Sequence, residues 1–380
     1  MSTVFVKYCS YNYKELKAFI FPLLDRFVGP SIHKKSTVVI KPNFLAPAPP
    51  EWAILTHPLV LKAVAEYVIG RGARPRISDS NAMGTFEKVL RTGGFLAALE
   101  GLDVEFVEFK RSIAVDIGDP FGKIEIAEDA VNADVLINLP KLKTHSQMLL
   151  TLGVKNLFGC IVGLRKPEWH FRAGADREMF AKLLVKIHAA VRPSVTILDG
   201  ITAMEGQGPG KSGVPRQLGI LIGSDSAVAV DMIVCRMLGV APDDLFTNRA
   251  ALDMGFDEPI EVIGELPRIT DFRLPLISPL VFGPRPFHGF IRRHLVQRPV
   301  VDVRLCKACG ECSRYCPVKA IRPAKKGLQF DYGKCIRCYC CIEICPHAAI
   351  RAEETLPGKA IRRFMPGPVA TAETHPDKTA

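Results

Sequence analysis

Eight cysteines in the last third of the chain stand in two evenly spaced runs. The first is Cys306, Cys309, Cys312 and Cys316; the second is Cys335, Cys338, Cys341 and Cys345; Pro317 and Pro346 close the runs. Three thiolates at two-residue spacing on one tight loop can each take a different iron of a cubane. The fourth, next to a proline, starts away from that loop and reaches a second cubane. The chemistry on offer is single-electron transfer by two 4Fe–4S clusters. This spacing assigns Cys306, Cys309, Cys312 and Cys345 to cluster one and Cys316, Cys335, Cys338 and Cys341 to cluster two. Cys340 is left over. Disulfides need an oxidising compartment, and Met1-Ser2-Thr3-Val4 begins no basic-then-apolar export signal. Paired zinc sites show short pairs of ligands rather than this run. A cytoplasmic iron–sulfur protein is the expectation.

A second constellation lies earlier. Lys141, Lys143, His145, Lys155 and His170 follow a strand-like run, Asp134 to Pro140, and Leu, Val and Phe residues flank them closely. Taken singly, Lys141 and Lys143 would be solvated and His145 a helix cap. Together they suit an anionic ligand, or a lysine whose lowered pKa fits it for nucleophilic work. Lys41, Asn43 and Asn156 belong to the same candidate ligand-binding or catalytic set. Asp199 and Glu205 form a thinner candidate ion site. The stretch Gly206-Gln207-Gly208-Pro209-Gly210-Lys211-Ser212 is one residue short of a phosphate-binding loop, so it is expected as a mobile loop over a strand end. Asp225 and Asp231 are expected at a helix N-terminus beside the Ser224–Ser226 cap, and Cys160 and Cys235 as buried thiols.

The elements that must position these groups alternate. Val38–Ile40, Arg76–Ser78, Val135–Leu139, Val195–Leu198 and Leu218–Ile222 are strand-like, while Leu59–Ile69, Glu178–Ala190 and Ala227–Leu238 have helical apolar spacing. That order predicts an α/β fold, a mostly parallel sheet with flanking helices whose ligands sit at strand carboxyl ends. With 380 residues, two or three domains fit. We divide the chain into an α/β domain (1–267), a Pro/Arg-rich linker (268–300), a cysteine-rich domain (301–351) and a disordered tail (352–380). No apolar run reaches the roughly 18 residues of a transmembrane helix. Phe290–Val296 could form a short basic amphipathic turn.

The net charge of +11 lies entirely in the last third, since residues 1–267 hold 30 basic and 30 acidic side chains. Specific nucleic-acid binding is not expected from that distribution. Lys307, Arg314, Lys319, Lys334 and Arg337 are expected to offset cluster charge, with an electrostatic docking face as the alternative.

The cysteine spacing resembles two-cluster bacterial ferredoxins over about residues 300–350, which implies a small α+β domain with a pseudo-twofold pair of hairpins and helices. Lys41-Pro42-Asn43, Thr56-His57-Pro58, Leu139 to His145, Val154 to Gly159, Asp199-Gly200-Ile201 and Glu205-Gly206-x-Gly208-Pro209 resemble the domain of unknown function 362 family over roughly residues 3–265. Members often carry a C-terminal 4Fe–4S domain, and the family name leaves the activity open. His145-x9-Lys155-x14-His170 is similar in order and spacing to nickel-dependent lactate racemase. That resemblance implies a nickel pincer cofactor on Lys155 with His145 and His170 as site residues. The glycine-rich stretch before that lysine and the family's earlier histidine motif have no counterpart here. Three functions follow. One is a ferredoxin-linked oxidoreductase passing electrons between the clusters and a small anionic ligand at the strand ends. Another is a non-enzymatic carrier or adaptor docking a redox partner protein. The third is isomerase chemistry on the pincer.

Overall fold

The computed structural model describes residues 1–163, 165–173, 176–275, 277, 290, 294–324 and 327–364. In chain order the first-domain strands are β1 (Ser2–Tyr8), β2 (Val38–Pro42), β3 (Pro75–Asp79), β4 (Glu105–Glu108), β5 (Ser112–Asp116), β6 (Lys123–Ala127), β7 (Val135–Leu139), β8 (Lys141–His145), β9 (Leu149–Thr151), β10 (Val195–Gly206), β11 (Gly213–Ser224) and β12 (Ile260–Ile263). Helices α1 (Tyr13–Phe27), α2 (Pro58–Gly70), α3 (Gly153–Asn156), α4 (Arg165–Ala173), α5 (Arg177–Val191) and α6 (Ala227–Met237) accompany them.

β2 shows why the centre of the sheet is parallel. Val38 and Ile40 pack with Leu16 and Leu24 of α1 and Leu61 and Val64 of α2, whereas Val39 packs with Phe180, Leu183 and Leu184 of α5. A strand apolar on both faces is stable between two helical layers. β2 pairs in parallel with β3 and β7, and β7 with β10. The sheet order is β12-β1-β11-β10-β7-β2-β3-β4, with β8 on β10 and β9 on β8. β11 runs antiparallel to β10 and β1, so one side of the sheet is mixed. The helices carry their own start signals. Asn12 Oδ1 accepts from Lys14 N at 3.0 Å and opens α1, which buries Leu16, Ile20, Leu23 and Leu24 at helical spacing.

The glycine-rich stretch is not a free loop. It is the turn of a hairpin between two twelve-residue strands, β10 and β11. Gly208 N donates to Thr144 Oγ1 and Ser146 N donates to the Gly208 carbonyl, both at 3.2 Å, which ties the turn to the end of β8. A Cβ on Gly208 would stand 2.5 Å from the Thr144 carbonyl oxygen, so this close approach requires glycine.

The start of the linker packs across the first domain. Ile269 N donates to the Met237 carbonyl at 2.7 Å, and Phe272 enters the core beside Val4, Val6 and Leu198. Ile291–Arg293 of the basic stretch lie outside the described residues. The cysteine-rich domain contains β13 (Arg298–Val301), α7 (Glu311–Arg314), β14 (Ile321–Ala324), β15 (Gly327–Phe330), α8 (Cys340–Glu343) and β16 (Ile350–Glu353). β13 pairs antiparallel with β16, and β14 with β15. Order does not stop at 352, as the sequence suggested: β16 ends at Glu353 and α9 (Leu356–Phe364) follows. Thr355 Oγ1 accepts from Gly358 N at 3.1 Å and donates to the His294 carbonyl at 2.5 Å, which holds the helix start. Pro357 and Gly358 disguised this helix, yet a first turn tolerates proline because its N–H groups are unpaired anyway. Residues 365–380 of the expected tail lie outside the described residues.

Candidate functional site

β8 continues from β7 across Pro140, and all five of its residues are buried. Side chains alternate along a strand, so Lys141, Lys143 and His145 share one face while Leu142 faces a core with Leu149 and Leu198. The lysines are therefore not solvated. Burying an ammonium is costly unless it is paired, and each finds partners. Lys141 Nζ donates to Asp199 Oδ2 at 2.8 Å and Tyr11 Oη at 2.9 Å. Lys143 Nζ donates to Asn43 Oδ1 at 2.6 Å and the Ile54 carbonyl at 2.8 Å. Burial lowers both pKa values, that of Lys143 to about 7 with Lys155 adding to the shift. His145 is likewise no helix cap.

The expected site divides in two. Asn43, Lys143, His145, Lys155, Asn156 and His170 line one cavity of about 100 Å³, whereas Lys41 and Lys141 do not reach it. Lys41 Nζ instead meets Asp79 Oδ1 at 3.0 Å. Asp199 and Glu205 form no common ion site. They lie six residues apart on β10, about 20 Å at the usual strand rise. Asp199 also accepts from His57 N at 2.9 Å, and Glu205 pairs with Arg216 at 3.0 Å and Arg273 at 2.6 Å.

Local geometry presents the cavity residues. Asp231 lies inside α6, not at its N-terminus; Ser226 is the cap. Its carboxylate accepts from Gly153 N at 2.7 Å and Val154 N at 3.1 Å, fixing the turn that carries Lys155 and Asn156. Burial pushes Asp231 up to about 7 against these two bonds. Asn43 Nδ2 donates to Asn156 Oδ1 at 2.7 Å, and Asn156 Nδ2 donates to Asn138 Oδ1 at 2.8 Å. With Lys143 this makes one chain of buried donors. Lys155 has no hydrogen-bond partner among the described residues, and burial lowers its pKa against the pull of Glu343. The His170 ring packs against Phe158 and Phe180, burial drops its pKa to about 3, and its Nδ1 has no hydrogen-bond partner among the described residues. Cys160 and Cys235 are buried as expected, and burial raises both thiols, Cys160 to about 12.

The other wall comes from the cysteine-rich domain. Tyr315, Cys340, Glu343 and Ile344 line the same cavity. His145 Nδ1 accepts from Gln147 N at 3.1 Å and Met148 N at 3.2 Å, which leaves its proton on Nε2. Nε2 stands 2.8 Å from Glu343 Oε1 but off the line of a good hydrogen bond, so neither atom is satisfied. Thr151 Oγ1, also on the cavity wall, has no hydrogen-bond partner among the described residues. Burial, then Lys155, lowers His145 to about 4. Burial raises Glu343, but His145 and Lys155 overcome it and hold the carboxyl near 2. Sequence reasoning missed Glu343, Cys340, Tyr315, Thr151 and Lys166, which also lines the cavity. The available signal was a lone acid between two isoleucines inside the second cysteine run.

The two cysteine loops have the same backbone. Ala308 and Gly310 around Cys309 have φ of 51° and 79°; Arg337 and Tyr339 around Cys338 have 64° and 58°. Ala320 N donates to Cys316 Sγ and Ala349 N to Cys345 Sγ, each at 3.2 Å. Cys306, Cys309, Cys312 and Cys345 line one small cavity. Burial and then Cys345, Cys309 and Cys306 push the Cys312 thiol to about 11, while Cys316 is raised by burial and by Cys338 and Cys335. Thiolates crowded this way repel one another unless cationic metal stands between them.

A profile described as a domain of unknown function, DUF362, matches residues 38–236. The chain belongs to the DUF362 family. A 4Fe–4S dicluster profile matches residues 298–346, so this DUF362 protein carries two 4Fe–4S clusters in its C-terminal domain. The thylakoid-associated protein sll1697 of Synechocystis sp. is 36% identical over 299 residues, covering 76% of this chain and 92% of that protein. The pyruvate synthase subunit PorD of Methanocaldococcus jannaschii is 37% identical over 54 residues, 14% of this chain and 63% of PorD. The lactate racemase apoprotein of Thermoanaerobacterium thermosaccharolyticum overlaps 52% of this chain and 50% of its own at TM-score 0.34 and 16% identity, which carries no argument. Among the described residues no helix is long and apolar enough to cross a membrane.

Proposed function

We propose that this protein is a cytoplasmic redox protein that passes electrons through its clusters to or from a small anionic ligand in the interdomain cavity. Cluster one takes Cys306, Cys309, Cys312 and Cys345; cluster two takes Cys316, Cys335, Cys338 and Cys341. One observation carries the reading: α8, which contains Cys341, also supplies Cys340 and Glu343 to the wall facing Lys155, His145 and His170. A ligand there meets the Lys143 and Lys155 amines and the neutral His145 Nε2–H in a water-poor site, where charge gained on reduction is stabilised strongly. Lys143, with a pKa near 7, is the proton donor at hand, and the neutral His145 offers its Nε2–H as a hydrogen-bond donor.

Lys155→Ala tests this: ligand binding or turnover should vanish while iron and sulfide stay at native levels. Normal turnover in that variant would remove the lysine from the mechanism. The nickel-pincer reading has one observation behind it, that His145, Lys155 and His170 share the cavity wall and Lys155 has no hydrogen-bond partner among the described residues. Stoichiometric nickel in anaerobically purified protein would promote it. The carrier reading requires salt-sensitive partner binding with the cavity idle.

A further inference from the structure

The two cysteine runs face different surroundings. On the cluster-two side, Cys338 and Cys341 are buried and α8 meets the cavity. On the cluster-one side Cys309 is exposed, and the loop leading to it exposes Val303 (53%), Arg304, Leu305 (48%), Lys307 and Ala308. Scattered exposed apolar residues are ordinary. Here two lie in one short loop over a ligand cysteine, with cations between and beside them. Across the domain the exposed charges are mixed: Arg298, Arg304, Lys307, Arg314, Lys319, Arg322, Lys334 and Arg351 are exposed, and so are Asp331 and Glu353. At the Val303–Cys309 loop itself the exposed charges are Arg304 and Lys307, and the neighbouring Asp302 is partly buried and paired with Arg304, so a molecule at contact distance there meets cations first. Only Arg337 of the expected charge-offsetting set is buried.

From this we infer that the Val303–Cys309 face of cluster one is the docking surface for an acidic electron-transfer protein. This rests on the cluster assignment above but not on any cavity ligand. The partner's redox centre gives up one electron, cluster one takes it, and no bond breaks. An apolar centre with a cationic rim suits a partner whose own centre is ringed by carboxylates, and electrostatic steering makes the encounter salt-sensitive.

The test is stopped-flow reduction of the oxidised protein by a reduced acidic 2Fe–2S ferredoxin, with dithionite as a reductant that needs no docking. The expected result is at least a tenfold slower ferredoxin reaction at 500 mM than at 50 mM KCl, and a similar loss in Lys307→Glu. The dithionite rate and iron content should not change, and Lys182→Glu on α5 should behave as native. Salt-independent reduction by ferredoxin, or equal slowing by both charge reversals, would overturn the docking surface. If Lys307→Glu loses iron, the salt series on the native chain decides alone. Native protein with about four irons rather than eight would instead overturn the cluster assignment.

Discussion

The two cysteine runs are nearly the same object in sequence and in backbone, yet they sit in opposite surroundings. Gly310 and Tyr339 occupy equivalent left-handed positions after the second cysteine of each run. Gly310 is the permissive choice, in a loop exposed at Cys309. Tyr339 carries strain that its setting offsets, because the ring is buried and its hydroxyl donates to the Gln297 carbonyl at 2.8 Å. Spacing selects the cofactor; burial and neighbours then give each copy its part. Under the proposed function, the copy facing solvent would exchange electrons with another protein, and the copy facing Lys155 and His145 with a bound ligand.

Removing one cluster at a time would break the comparison most severely. Cys309→Ser and Cys341→Ser should each leave about four irons. Cys309→Ser should keep anion binding in the cavity, and Cys341→Ser should weaken it at least tenfold by disturbing α8. Equal effects in a binding titration would mean that the two halves are not specialised. Next in size is the buried Lys41–Asp79 pair that backs the cavity. Lys41→Met strands a buried carboxylate and should cost roughly 3–5 kcal/mol in denaturant unfolding. Gly159→Ala should be comparably harmful, since its Cβ would lie 2.2 Å from Asp79 Oδ1.

A pH effect separates the first domain from the cluster domain. Burial alone lowers His188, on α5, from its ordinary 6.5 to about 4. Between those values the unfolded chain binds the proton and the folded chain does not. Stability is therefore full above pH 6.5 and falls as pH drops toward 4, by on the order of 3 kcal/mol for this group. His188→Gln should lose less thermal stability between pH 7 and pH 5 than the native protein, provided iron content is matched. The smallest effect is in the loops. Gly310→Ala should cost about 1 kcal/mol from its positive φ, read as a shift in the unfolding midpoint.

What was legible in the sequence follows from the range of the interactions. The cysteine spacing, the β-branched run at Val38–Ile40 and the Pro58–Gly70 helix are local patterns, and the structure has them. His145, Lys155 and His170 were legible as a group because one strand and the turns after it carry them. The contact between His145 and Glu343 was not, since nearly 200 residues separate them and neither has a local signal for the other. Lys141 and Lys143 misled because lysine is usually solvated; only tertiary partners such as Asp199 and Asn43 make their burial tolerable. The glycine-rich hairpin was mistaken for a mobile loop because close backbone approach and flexibility call for the same residue.

The most direct test of the central claim needs no ligand. Lys155 feels Glu343 and Cys340 of α8, so its cation should bias cluster two and not cluster one. An EPR-monitored potentiometric titration of the native protein and Lys155→Met would resolve the two clusters. The account predicts that one potential falls by tens of millivolts, roughly, on loss of the nearby cation while the other stays fixed. Two unchanged potentials, or two equal shifts, would contradict a cavity coupled to cluster two.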